Sequence, residues 1–201
     1  DDLTYGDSLI RALADPSPRV RAYAAYAVGR LRYLRALDGV LELLAANADA
    51  DPYLRHAGIM ALTGIGSNDR NAVVGLESHP SAAVRLAAVV ALRKNNDAAA
   101  AVFLDDADPL VGTEAARAVY DLPLIAALPE LAASLERAGD SAPYRHRVLA
   151  AAFRLGGAER AELLAAYAAR PDADEAASLE ALDMLGAWSE PSPRDRVLGM
   201  Y

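Results

Sequence analysis

Apolar residues recur along this chain at helical spacing, in blocks that are similar to one another. Three blocks are clear: Asp15-Pro16-Ser17-Pro18-Arg19-Val20-Arg21-Ala22-Tyr23-Ala24, then Asp51-Pro52-Tyr53-Leu54-Arg55-His56-Ala57, then His79-Pro80-Ser81-Ala82-Ala83-Val84-Arg85. Fainter copies begin at Asp108-Pro109, Ala142-Pro143 and Pro171-Asp172. Superposing the blocks brings Val28, Leu62, Leu92, Val119, Phe153 and Leu182 to one position, with successive gaps of 34, 30, 27, 34 and 29 residues. A repeat of this length and scatter marks units that stack on one another rather than one closed core.

Each block predicts a pair of helices. Asp followed by Pro is a helix start, because the carboxylate accepts from free N–H groups and Pro occupies a site where no N–H is needed. In the first block the apolar stripe of the helix is expected to be Val20, Ala24, Ala27, Val28 and Leu31. Gly29, Gly64, Gly66, Gly156 and Gly186 fall near predicted helix ends, where left-handed caps are expected. Helices of another type are predicted between these, over 38–46, 98–104, 124–135 and 158–168, with Pro129 starting or kinking the third. No segment carries the alternation of a strand.

Composition supports this pattern. The chain holds 47 alanines, the best helix former and a poor strand former. Nine of its 12 aromatic residues are Tyr, so thin seams between close helices are expected rather than one large aromatic core. The net charge of −8 argues against general affinity for nucleic acid. There is no Cys, which removes disulfides, thiolate metal sites and thiol nucleophiles from this segment. No run of about 18 apolar residues occurs, so no membrane span is expected. The opening Asp1-Asp2-Leu3 reads as a segment of a longer protein.

Asp-Pro followed by Val-Arg and then Ala-x-x-Ala-Leu, as in 15–28 and 79–92, resembles HEAT repeats, closest to the short bacterial type also found in phycobilisome-lyase-type proteins. The resemblance implies an all-α, right-handed α-α superhelix (a HEAT-like solenoid) of about six two-helix repeats, with the second helices lining the concave side. The units are expected at 1–33, 34–66, 67–96, 97–122, 123–157 and 158–188 of one repeat domain spanning 1–201, with 189–201 a linker or the start of a further element. A narrower run (52–57, 105–111, 153–157, 181–188 and 192–197) resembles the HEAT segment of large exported planctomycete-type proteins with a sugar-dehydrogenase-like propeller and a cytochrome c module. That likeness implies an exported location and an oxidoreductase parent; composition alone assigns no compartment.

The residues themselves offer one candidate binding surface. Arg19, Arg21, Arg30, Arg32 and Arg35 lie close together with no acid between Pro16 and Leu37. At 100° per residue, Arg19, Tyr23, Tyr26 and Arg30 share one helical stripe. With Tyr53 and His56 of the next block they form the expected binding residues, since Arg and Tyr combine bidentate donors with flat amphipathic rings. The bland alternative is that they cover a terminal repeat and snorkel over apolar surface. The stripe becomes Ala83, Ala87, Val90 and Lys94 in the third block, which argues against a repetitive polymer code. Asp15 with Arg21, Asp51 with Arg55, and Arg85 are expected to form a structural ladder between units.

Other constellations are weaker. His56, His79 and His146 lack the spacing of metal ligands, and His79 is expected to precede or cap a helix. The clusters Asp105, Asp106, Asp108 and Asp172, Asp174, Glu175 fit helix starts without invoking catalysis or calcium. Trp188 is expected to pack on Leu182 and Leu185. The expectation is a non-catalytic scaffold or protein-interaction module with no metal and no cofactor. Its partners would be flanking domains or another protein, not nucleic acid or membrane, with self-association possible through uncapped solenoid ends. The alternative is a HEAT-like enzyme or enzyme subunit, resembling a bilin lyase or a DNA glycosylase.

Overall fold

The computed structural model describes the backbone of residues 2–200 and the side chains of residues 5–200. Asp1 and Tyr201, the two ends of the expected domain, lie outside the described residues. The chain is all-α, with no strand among the described residues. It folds into two compact units, Asp1–Phe103 and Leu104–Tyr201, a division that falls within the fourth expected repeat.

The first unit contains α1 (Asp2–Leu13), α2 (Pro18–Leu31), α3 (Leu37–Asn47), α4 (Pro52–Asn68), the short α5 (Arg70–Val74) and α6 (Ala82–Lys94). The second contains α7 (Pro109–Asp121), the short α8 (Leu128–Ala132), α9 (Ala142–Leu155), α10 (Ala158–Ala168) and α11 (Glu175–Gly186). The helix expected over 98–104 is a 3₁₀ turn, Ala98–Asp105. The one expected over 124–135 breaks into α8 flanked by 3₁₀ turns, with Pro129 in the first turn of α8, where it needs no N–H.

Asp51 accepts from the N–H groups of Tyr53 and Leu54, and Asp108 from Leu110, as the Asp-Pro starts require. Asp174 caps α11 through Ala177. The first and third blocks differ. Asp15 accepts from Ser17 N–H at 2.8 Å and His79 Nδ1 from Ser81 N–H at 3.1 Å, which builds a turn before the helix. Their helices then begin at Pro18 and Ala82.

Counted from the first residue of each helix, burial recurs at fixed positions, except that Leu185, eleventh in α11, is only half-buried. The seventh position holds Ala24, Gly58, Ala88, Ala115, Val148 and Ala181 in α2, α4, α6, α7, α9 and α11, and all six are buried. The eleventh holds Val28, Leu62, Leu92, Val119 and Ala152, also buried. Here the register expected from sequence is corrected: Ala152 takes the place assigned to Phe153, and Leu182 is 53% exposed while Ala181 and Met184 are buried. The stripe of α2 is corrected too. It buries Ala24, Ala25, Val28 and Gly29, leaving Val20 and Leu31 exposed.

Glycines explain that rotation. Gly29 and Gly64 are not caps but interior residues of α2 and α4. A Cβ on Gly64 would sit 1.9 Å from the Gly29 carbonyl oxygen, and one on Gly29 would sit 2.4 Å from the Met60 carbonyl oxygen. The two backbones therefore touch, and only the absence of side chains permits it. Gly66 likewise lies inside α4 against Val73, and Gly186 is the last helical residue of α11 without a positive φ. Gly156, which ends α9, is the one of the five with a positive φ, 67°, but its ψ of −165° lies outside the left-handed helical cap. The left-handed cap of α2 is instead Arg32.

Gly64→Ala is expected to cost about 2–3 kcal/mol in urea unfolding, because the neighbour it meets is rigid backbone. Gly75→Ala, where nothing lies within 4 Å of the added Cβ, is expected to stay within about 0.5 kcal/mol of wild type. Equal effects at the two sites would refute the close-contact account.

Candidate protein-binding face

The six candidate residues lie on α2 and α4, neighbouring helices of the first unit. Tyr23 is 62% and Tyr53 79% exposed, and Arg19, Arg30 and His56 are exposed as well. Arg19 places its guanidinium carbon 5.7 Å from the Tyr23 ring centre. Tyr26 meets His56 edge to face across the helix pair, with ring centres 6.0 Å apart. Arg19 and Tyr53 occupy the same, second position of α2 and α4. The seam between the helices is filled by small residues, so these large side chains have no room inside and project from its rim.

The ladder residues carry bonds within their own repeat. Arg21 donates to the Asp15 and Pro16 carbonyls at 2.9 and 3.2 Å, and Arg85 to the His79 and Pro80 carbonyls at 2.8 and 3.3 Å. Arg145 repeats the clip on the Gly139 carbonyl at 2.8 Å. Each stands fourth in its helix and folds back on the loop that leads into it, whose carbonyls have no helical partner. Asp15 and Asp51 spend their carboxylates on N–H groups of those same turns. Arg55 carries no such bond among the described residues; Asn47 instead binds the Asp51 carbonyl at 3.0 Å.

Bonds between repeats fall on residues outside the expected ladder. In the first unit Arg70 pairs with Asp97 at 2.6 Å and Asn95 donates to the Thr63 carbonyl at 3.0 Å. In the second, Arg147 grips Asp121 with two bonds of 2.8 and 2.9 Å, His146 meets Glu180 at 2.5 Å, and Arg145 lies 3.8 Å from Asp174. Arg137 pairs with Asp105, and Arg170 with Glu136. These partners stand 26 to 34 residues apart, about one repeat. Period matching could have found them had charges been aligned along with apolar residues.

Residues 187–200 fold back over the helices of the second unit. Asp195 accepts from the Tyr120 hydroxyl at 2.7 Å and from Arg154, whose guanidinium carbon lies 4.0 Å from the Tyr120 ring centre. Its other oxygen accepts from Val197 and Leu198 N–H. Burial works against ionising Asp195, but the Leu198 N–H, Tyr120 and Arg154 together hold its carboxyl below the usual range. Burial and the bond to Asp195 push the Tyr120 hydroxyl far up. Arg196 reaches Asp183 at 2.5 Å and stacks on Phe153, which in turn packs edge to face with Trp188 at 5.5 Å. Trp188 thus sits on Phe153, and Leu182 is 53% exposed. A groove of about 490 Å³ remains between this segment and α7 and α9, lined by Tyr120, Ile125, Phe153, Pro193 and Leu198 among others.

Among the described residues, no helix is long and apolar enough to cross a membrane, and no three His, Asp or Glu side chains converge as metal ligands would. Residues 7–31, spanning most of α1 and all of α2, match the HEAT repeat family. A solved designed armadillo repeat protein, YIII(Dq)4CqI, is similar at 17% identity and a TM-score of 0.45, over 90% of this chain and 98% of that one. No curated protein matches the chain in sequence.

The Glu180 bond raises the pKa of His146 above its ordinary 6.5, against burial, which lowers it. A raised folded-state pKa stabilises the fold fully below the unfolded value and loses that contribution as pH rises through the folded one. Wild type is therefore expected to exceed Glu180→Gln in melting temperature most clearly below pH 6.5. The gap, worth less than about 1 kcal/mol for a partly exposed pair, is expected to close as pH climbs past the raised value. A gap that widens with pH would refute the assignment.

Proposed function

We propose that this chain is a non-catalytic protein-interaction module whose binding surface is the α2–α4 face. The observation that carries the reading is the patch itself: Arg19, Tyr23, Tyr26, Arg30, Tyr53 and His56 gather on two adjacent repeat helices, and none of their side chains has a hydrogen-bond or ion-pair partner among the described residues. Exposed Arg and Tyr held on a rigid helical frame lose little conformational freedom on binding, which suits them to recognise another protein. On the HEAT resemblance the second helices of the units, α2 and α4 among them, line the concave side, where a partner or a flanking domain would be held.

The acids and the histidine with displaced acidity support the same reading. Asp97, Glu136, His146 and Asp195 each belong to a bridge that joins one helix or segment to another. Their employment is structural. The phycobilisome-lyase-type and planctomycete-type resemblances give the module two settings: an enzyme's accessory chain, or the helical part of an exported oxidoreductase that keeps other domains in register.

The test is affinity capture. Immobilised wild type is expected to retain a defined protein partner from an extract of the source organism. The triple variant Arg19→Ala, Tyr23→Ala, Arg30→Ala is expected to lose about tenfold in capture, since exposed Arg and Tyr anchors carry much of an interface's energy. Circular dichroism confirms that the fold persists. Equal capture by both chains would remove the α2–α4 face from the function.

A further inference from the structure

The two units present the same donors at the same helical positions, but with different company. His56 is the fifth residue of α4 and His146 the fifth of α9. Arg30 is the thirteenth residue of α2 and Arg154 the thirteenth of α9. In the second unit both donors are matched by carboxylates: His146 by Glu180 of α11, and Arg154 by Asp195 of the returning segment, which the Tyr120 hydroxyl also holds. In the first unit neither donor meets a carboxylate among the described residues. The α6 position equivalent to Glu180 is Ala87, which offers no acid.

We infer that the α2–α4 face takes an acidic segment of a partner protein, whose carboxylates engage Arg30 and His56 as Asp195 and Glu180 engage Arg154 and His146. This rests on the binding face proposed above and names the chemistry that it recognises. Local charge agrees. Five arginines and no acid lie between Pro16 and Leu37, although the whole chain carries −8. Tyr26, 6.0 Å from His56 by ring centres, adds a phenol beside the basic groups, the same chemical pairing that holds Asp195 between Tyr120 and Arg154. The site is short, because α6 replaces the stripe with Ala83, Ala87, Val90 and Lys94. A long polyanion tracking successive repeats would find no continuation there, whereas one peptide segment would fit.

The experiment is selection of a random phage-displayed peptide library against the full chain, with enriched peptides resynthesised and measured by fluorescence anisotropy. Enriched peptides are expected to carry two or more Asp or Glu residues. Arg30→Ala and His56→Ala are each expected to weaken binding about tenfold, as loss of a charged hydrogen bond does. Changing the peptide's acids to Gln is expected to do the same. Arg30→Glu is expected to regain binding to a peptide whose acids have become Lys, which a merely structural role for Arg30 would not produce. Both positions are exposed, and circular dichroism checks the fold of each variant. Peptides that depend on Arg19, Tyr23 and Tyr53 but bind through apolar or basic residues would overturn this inference and leave the binding face standing. Peptides indifferent to every substitution on α2 and α4, or no enriched peptide at all, would overturn both. Occupancy of the face by a single-stranded DNA oligonucleotide in place of an acidic peptide would likewise overturn both, whereas occupancy by a second copy of the chain would overturn this inference alone.

Discussion

The contact of the α2 and α4 backbones through Gly29 and Gly64 sets the terms for the rest of the first unit. Two helices that touch backbone to backbone leave no room for large side chains in their seam, which therefore fills with Ala24, Ala25, Val28, Gly58, Ala61 and Leu62. Each such residue buries little area, so the stabilisation per residue is modest and must be repeated along the helix. Sensitivity to volume follows, because a single methyl group at a backbone contact has nowhere to go. The abundance of alanine in this chain is as much a packing requirement as a helical preference.

The same constraint decides where the large residues go. The arginines, and the tyrosines of α2 and α4, lie at the rims of the seams, whereas Tyr120, Tyr144 and Tyr167 of the second unit are buried. These residues follow two courses. In the second unit they are consumed by structure: Arg147 grips Asp121, His146 meets Glu180, and Tyr120 with Arg154 holds the returning segment through Asp195. In the first unit the side chains of Arg19 and Tyr23, and of Tyr26 and His56, meet only in ring contacts among the described residues. Partly exposed ion pairs of this kind add little stability. What they provide is position, by fixing which loop lies on which helix.

The carboxylates therefore mark the difference between a face used internally and one left available. Glu180 and Asp195 are contributed by elements that follow α9, one from the next repeat and one from the segment beyond it. Among the described residues no carboxylate comes over α4 in this way; its neighbour α6 presents alanines and valines. A repeat array can thus close one stretch of its surface and leave another open without altering the helices themselves.

The longer helices, the caps of Asp51 and Asp108 and the period of the repeat were legible in the residues, because each depends on local chemistry: a carboxylate two or three residues from a free N–H, a proline that needs none, apolar spacing near the helical turn. The six residues of the candidate face were legible for the same reason, since exposure of Arg and Tyr on one stripe follows from helix geometry. The role of Gly29 and Gly64 was not. Glycine near a helix end looks the same whether it turns the chain or admits a neighbour, and the choice depends on a helix roughly one repeat away. Nor could local reading separate Ala152 from Phe153 at the buried position, or find Asp195 as the partner of Tyr120, 75 residues earlier. Those outcomes rest on how closely two backbones approach and on where a distant loop comes down, which are properties of the assembled helices and not of any window of the chain.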